Sequence, residues 1–101
     1  MRRAARVDAG QDQIVSALRA CGCSVRVITQ GDGIPDLLVG YINPVSGRGY
    51  NILMEVKDGR KPPSARKLTP AEEKFFMEWK GGLIAVVNSV EEALDILKRC
   101  D

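Results

Sequence analysis

Apolar residues recur at helical spacing near the start of the chain, with polar residues between them: Ile14, Val15, Leu18 and Cys21. Because a period of 3.6 residues places such positions on one face, the spacing predicts an amphipathic helix of roughly 10–13 residues that ends at Gly22. Residues 1–8 are basic and poor in apolar residues. The pattern therefore predicts a basic N-terminal arm followed by a single domain over residues 9–101.

Four shorter apolar runs are bounded by turn-forming residues and predict strands, at residues 25–28, 37–42, 50–56 and 83–87. The segment between the second and third strands is rich in Asn, Pro, Ser and Gly, which predicts a hairpin loop. Side chains alternate between the two faces of a strand, so Glu55 and Lys57 are expected to lie on the same face of the third strand.

Capping residues predict two further helices. Thr69 is a good N-cap, with proline at the next position and Glu72 three residues after the cap, and Ser89 begins the last helix in the same way. Aromatic residues are expected to form the packing face of the second helix: Phe75, Phe76 and Trp79. Apolar residues of the last helix are expected to face inward: Ala93, Leu94 and Leu97.

The predicted order of elements is α-β-β-β-α-β-α, which indicates an α/β fold in which a mixed sheet is flanked by helices. The chain has 101 residues, of which 45% are hydrophobic and 28% charged. This composition is that of a globular protein, and the length is that of one domain. The net charge of +2 argues against tight non-specific binding of nucleic acid by a monomer.

The chain contains no histidine, which excludes Ser-His-Asp and Cys-His catalysis and histidine-ligated zinc. Any general base must therefore be another side chain or a metal-bound water. The three cysteines form an odd set without a secretory signal, and no apolar run is long enough to span a membrane. We therefore expect a cytoplasmic protein with no membrane partner and no organic cofactor.

Two carboxylates and a lysine are predicted to meet beside the hairpin strands. Asp36 directly precedes the second strand and Glu55 lies near the end of the third, so antiparallel pairing brings them side by side. Two carboxylates with an adjacent backbone carbonyl suit a hard cation such as Mg²⁺. Lys57 is then positioned to orient or deprotonate a water and to neutralise charge as a phosphodiester is attacked.

The segments 34–36 (Ile-Pro-Asp) and 55–57 (Glu-Val-Lys) resemble the signature of the PD-(D/E)xK nuclease superfamily. Their surroundings, residues 31–40 and 54–59, are similar to the VRR-NUC branch, particularly to its stand-alone, phage-type members. The likeness covers about residues 8–97. It implies a restriction-endonuclease-like core and a Mg²⁺- or Mn²⁺-dependent endonuclease that hydrolyses DNA phosphodiester bonds.

The resemblance also implies roles for individual residues. Asp36 and Glu55 are expected to bind the divalent metal, and the backbone carbonyl of Val56 to add a ligand. Lys57 is expected to be the catalytic lysine. The stand-alone members resemble Holliday-junction resolvases, which implies a homodimer acting on branched DNA such as four-way junctions, and a phage-encoded protein acting in the host cell.

The family often carries an acidic residue on the first helix that points at the site. Gln13 is the best match here and Gln11 the second, and an amide at this place can hold a metal-bound water but adds no charge. A glutamine tends to follow the Thr-Pro of the second helix in the family. Glu72 stands at that place, where the sequence alone favours a helix-capping role.

A basic loop over residues 58–68 directly follows Lys57 and carries four cationic side chains: Arg60, Lys61, Arg66 and Lys67. Contacts to phosphates position a nucleic acid without reading its sequence, so we predict that this loop clamps the DNA backbone. The alternative is a solvated loop with no partner.

Simpler interpretations of the same residues stay open. Asp36 would cap a turn after Pro35, and Glu55 would form a structural salt bridge with Lys57 or Arg66. At the level of the whole protein, the alternatives are a non-catalytic nucleic-acid-binding module on the same fold and a small dimeric protein-interaction domain. Neither predicts metal-dependent cleavage.

Overall fold

The computed structural model describes residues 10–101; residues 1–9, with the predicted basic arm, lie outside the described part. Within this described part, three α-helices and four β-strands follow one another in the predicted order: α1 (Gln11–Ala20), β1 (Ser24–Val27), β2 (Leu37–Ile42), β3 (Gly49–Val56), α2 (Pro70–Glu78), β4 (Leu83–Val87) and α3 (Val90–Lys98). A short 3-10 helix, Pro63–Arg66, lies within the predicted loop. No helix of the described part has the length and hydropathy needed to cross a bilayer.

The four strands form one mixed sheet in the order β1-β2-β3-β4. β1 and β3 both pair with β2 in antiparallel fashion, and β4 pairs with β3 in parallel fashion. The connection from β3 to β4 is therefore a crossover, and it contains the 3-10 helix and α2. The predicted mixed sheet flanked by helices is confirmed, and β3, which carries Glu55, is an inner strand.

One face of the sheet and the two terminal helices enclose the hydrophobic core. The register pairs Leu37 with Met54 and Val39 with Ile52, and all four side chains are fully buried. α1 packs against α3 and β1, and its apolar stripe is buried as predicted from its period: Ile14, Val15 and Leu18. The intervening positions of the strands point to the opposite face, where Leu38 and Leu53 form a cross-strand pair.

The predictions about exposed side chains need two corrections. α2 has no fully buried residue, since Phe75 and Phe76 are only half-buried and Trp79 is exposed. The Trp79 ring stacks on Phe75 with centroids 5.0 Å apart, so the aromatic side chains of this helix partly cover each other rather than entering the core. Cys21, which the spacing places on the apolar face of the first helix, is exposed, because it follows the last turn of α1 and faces solvent.

A left-handed turn at residues 31–33 holds the start of α2 beside the start of β2. Gly31, Asp32 and Gly33 have φ angles of 84°, 58° and 80°, a region that glycine adopts without steric cost. Gly33 is also closely packed, because a Cβ built on it would lie 2.3 Å from the carbonyl oxygen of Ala71. This contact connects α2 to the turn that leads into Asp36.

We expect Gly33→Ala to destabilise the protein more than Gly31→Ala. Both substitutions carry a left-handed φ, but a Cβ on Gly31 meets open space whereas one on Gly33 meets backbone. The difference in the free energy of unfolding should be about 1–3 kcal/mol, the usual cost of overpacking. Urea denaturation of the two variants measures it, and equal losses would show that the contact with α2 does not matter.

Candidate active site

Asp36 is held beside the third strand by two hydrogen bonds. Its Oδ2 accepts from the backbone N–H of Val56 at 2.8 Å, and its Oδ1 accepts from the hydroxyl of Thr29 at 2.9 Å. The side chain is 8% exposed. The hydrogen bond to Val56 places Asp36 directly at the segment between Glu55 and Lys57, so the structure brings the three predicted residues together.

Glu55 is a buried carboxyl in the inner strand, 4% exposed. Its Oε2 lies 3.5 Å from the Lys57 Nζ, whereas its Oε1 is buried with no hydrogen-bond partner. Burial first, then the nearby charge of Asp36 and a contact with Glu72, outweigh the opposing effect of Lys57 and raise the pKa of Glu55 to about 9. Glu55 is therefore protonated at neutral pH in the metal-free protein.

Lys57 makes its shortest contact with a residue of α2. Its Nζ donates to Glu72 Oε1 at 2.8 Å, and the two side chains are 12% and 15% exposed. Burial by itself would lower the pKa of Lys57, but Glu72 and Glu55 outweigh it and raise that pKa. Burial would raise the pKa of Glu72, but Lys57, the Thr69 backbone and Glu55 together outweigh it and lower that pKa. The charged pair is therefore Lys57 with Glu72, while Glu55 keeps its proton.

Glu72 combines this ion pair with the helix cap predicted for it. Its Oε1 accepts from the backbone N–H of Thr69 at 2.8 Å, and its own backbone N–H donates to the Thr69 hydroxyl. The predicted capping box is confirmed. The contact with Lys57 was not predicted, because a capping box accounts for a glutamate at this position by itself.

The metal-free protein is expected to lose stability as pH rises from about 5.5 to about 8. In the unfolded chain Glu55 ionises near the usual glutamate pKa of about 4.3, but in the folded protein it keeps its proton up to about 9. Between these values the folded state binds one more proton, so the free energy of unfolding falls with rising pH. Histidine contributes nothing, because the chain has none.

Urea denaturation in EDTA at several pH values measures this effect. Glu55→Gln, which is neutral at every pH, should flatten the dependence, whereas Glu73→Gln, a change of an exposed glutamate on α2, should leave it as in the wild type. A wild-type protein whose stability does not fall over this range would contradict the protonated state of Glu55.

The two glutamines of α1 occupy different environments. Gln13, the preferred match, is exposed and lines a cavity beside the site, whereas Gln11 is fully buried with its Oε1 unpaired. Helical spacing explains the difference, because Gln11 lies three and four residues before Ile14 and Val15 on the buried stripe. That spacing is visible in the sequence and predicts that Gln11 enters the core, whereas Gln13 faces the cavity beside the site.

The four cations of the basic loop are not equivalent. Arg60 is largely exposed and forms an ion pair with Asp58 at 3.1 Å, and this pair lowers the pKa of Asp58. Lys61 and Lys67 are exposed, and Arg66 alone is half-buried. The alternative salt bridge from Arg66 to Glu55 is not formed. The Lys57 ammonium does lie 3.5 Å from the Glu55 carboxyl, but Glu55 is neutral there and the closer partner of Lys57 is Glu72.

The donor set of the site fits Mg²⁺ better than a metal that needs a full protein cage. Within residues 10–101 no group of three or more Cys, Asp or Glu side chains is arranged around a metal position. Mg²⁺ is commonly held by one or two carboxylates and keeps several waters. Asp36 and Glu55 supply two carboxylates, and the unpaired Oε1 of Glu55 is a buried acceptor that a cation would satisfy.

Comparison of the chain with models of protein families, with curated proteins and with solved structures gives no match.

Proposed function

We propose that the protein is a Mg²⁺- or Mn²⁺-dependent endonuclease that hydrolyses DNA phosphodiester bonds. The single observation that supports this most is the convergence of Asp36, Glu55 and Lys57 on one end of β3, through the 2.8 Å hydrogen bond from Val56 to Asp36. A structural role explains this cluster poorly, because an inner strand gains no stability from a buried carboxyl whose oxygen is left unpaired.

Asp36 and Glu55 would hold the divalent ion, with the backbone carbonyl of Val56 as the third ligand implied by the resemblance. The bound ion would supply Lewis-acid stabilisation of the phosphate oxygens. Glu55 must release its proton to act as a ligand, so metal affinity should rise with pH. Lys57 lies 3.5 Å from Glu55. Its positive charge would neutralise the negative charge that develops on the phosphodiester as water attacks it.

Supporting residues would surround this centre. Glu72 holds the Lys57 ammonium at 2.8 Å and so fixes its direction, which makes Glu72 a positioning residue in this proposal. Gln13 remains the proposed amide on the first helix, with buried Gln11 as the alternative. Arg60, Lys61, Arg66 and Lys67 would contact the phosphate backbone.

The proposal also covers the type of nuclease core and the assembly in which it acts. We propose a restriction-endonuclease-like core of the VRR-NUC type, supported by the order of elements, by the mixed sheet and by the position of the Asp36 and Glu-Val-Lys segments on adjacent strands. A homodimer acting on branched DNA is the corresponding arrangement, because a two-fold pair of sites suits symmetric nicking of a four-way junction.

Incubation with a panel of DNAs tests the proposal directly. Labelled four-way junctions, flaps, nicked duplexes and plain duplexes of equal length are incubated with Mg²⁺, with Mn²⁺ and with EDTA. We expect cleavage only with a metal ion, and more cleavage of branched than of plain DNA. Absence of cleavage of every substrate with both metals would refute the endonuclease.

One observation favours a second candidate, a non-catalytic nucleic-acid-binding module. The Lys57 ammonium is already engaged by Glu72 at 2.8 Å, as in a structural ion pair. Such a module would bind the same DNA panel through its basic loop, with equal affinity in the presence and absence of Mg²⁺, and would cut none of it.

A further inference from the structure

A cavity of about 650 Å³ opens beside the candidate site. Its walls come from the start of α1, from the segment 57–60, from the end of the 3-10 helix at Arg66 and from the segment 88–92 that leads into α3. Because Lys57 belongs both to this wall and to the cluster with Glu55, the cavity adjoins the place proposed for phosphodiester hydrolysis. Its volume is in the range of pockets that hold a small organic ligand.

Arg66 is an uncompensated cation in the wall of this cavity. Its Nε–H is buried without a hydrogen-bond partner, and among residues 10–101 no carboxylate forms an ion pair with it. Burying an N–H donor without an acceptor costs free energy, so this half-buried arginine suits an anion supplied from outside. A guanidinium matches the geometry of a phosphate with two parallel hydrogen bonds.

The other side of the cavity offers acceptors and apolar surface. Asn88 has a buried Oδ1 without a partner, and Glu92 accepts from the backbone N–H of Asn88 at 2.7 Å but has no cationic partner in the described chain. Ile14 and Val90 contribute aliphatic surface. A ligand that matches these groups carries an anion near Arg66, hydrogen-bond donors near Asn88 and Glu92, and an apolar body between them.

We infer that this cavity binds one unpaired nucleotide of the DNA strand that enters the active site, with its phosphate on Arg66 and its base toward Asn88 and Glu92. The inference rests on the proposed nuclease function and adds a reason for selectivity toward branched DNA. A nucleotide in a plain duplex is stacked and paired, and bringing it into the cavity costs unpairing and unstacking energy that an already single-stranded nucleotide, as in a flap, does not require.

The inference is tested by the binding of a short labelled single-stranded DNA to the full chain, measured by fluorescence polarisation. EDTA is present, so that no cleavage takes place. We expect Arg66→Ala to weaken binding about tenfold or more, since a charge-assisted hydrogen bond is lost, and Arg48→Ala to weaken it less than about threefold. Arg48 is the matched control, because it is an exposed arginine of the hairpin loop and does not line the cavity. Arg66→Lys should fall between the two.

Competition on the wild-type protein gives a readout that does not depend on the folding of a variant. Deoxyadenosine monophosphate should displace the labelled strand at concentrations at which inorganic phosphate does not. Equal displacement by phosphate would overturn the assignment of a nucleotide, and equal effects of Arg66→Ala and Arg48→Ala would overturn the role of Arg66.

The two proposals fail in different ways. Arg66-dependent binding of the strand without any metal-dependent cleavage would count against the endonuclease and leave the nucleotide pocket in place. Normal cleavage together with equal binding by the two variants would count against the pocket and leave the endonuclease in place.

Discussion

Replacing Lys57 by alanine is expected to lower the rate of Mg²⁺-dependent cleavage of a four-way junction by about 100-fold or more, the usual contribution of a positioned proton-transfer group. Lys57 provides the ammonium that lies nearest to the Glu55 carboxyl in the structure. Its loss removes the group that would manage the attacking water, while Asp36 and Glu55 stay in place. Single-turnover cleavage of labelled junctions measures the effect.

Two controls make the Lys57→Ala result interpretable. Arg48→Ala removes an exposed cation of the hairpin loop, outside the candidate site, and should leave the cleavage rate within about threefold of the wild type. Junction binding by Lys57→Ala in EDTA should stay near the wild-type affinity, because its ammonium is engaged by Glu72. If the wild type and Lys57→Ala bind the junction equally and neither cuts it, the endonuclease is refuted and the non-catalytic binding module is supported.

The substitution Asp36→Asn should abolish the stabilisation of the protein by Mn²⁺. A ligand at ten times its dissociation constant contributes about 1.4 kcal/mol, which corresponds to a rise in Tm of about 6 °C for a domain of this size. An asparagine keeps an oxygen for the Val56 N–H and turns its amide toward the Thr29 hydroxyl, which can accept a hydrogen bond. The fold is therefore retained while one anionic ligand is lost.

Thermal melts at a series of Mn²⁺ concentrations measure this effect, best above neutral pH where Glu55 gives up its proton more easily. Asp32→Asn is the matched control, because Asp32 is an exposed aspartate of the turn before β2 and an asparagine tolerates its left-handed φ of 58°. If Mn²⁺ still raises the Tm of Asp36→Asn, the metal site does not lie at this end of β3.

The hairpin and the relative positions of its strands could be predicted because local signals agree with one another. Turn-forming residues over 43–49 separate two apolar runs, and the observed strands Leu37–Ile42 and Gly49–Val56 differ from the predicted ranges by at most one residue. The 3-10 helix Pro63–Arg66 could not be predicted in the same way. Four residues are too few to show a period, and their Pro-Ser composition is also that of a loop.

The candidate site was predictable in part. Asp36, Glu55 and Lys57 could be grouped from strand alternation and hairpin pairing, and the structure brings them together. The ion pair between Lys57 and Glu72 joins residues 15 positions apart across the start of a crossover helix, and no local pattern encodes such a contact. The difference between Arg60 and Arg66 likewise depends on burial, which the charge run alone does not reveal.

The elements that carry the site differ in how extensively they are packed and hydrogen-bonded to the rest of the fold. β3 has a hydrogen-bonded neighbour on each side, so Glu55 cannot move far unless the sheet opens. α2, in contrast, buries none of its side chains completely and brings Glu72 to the same place. We therefore expect the amides of α2 to exchange with solvent faster than those of β3, so that hydrogen exchange of the metal-free protein would rank the two elements in that order.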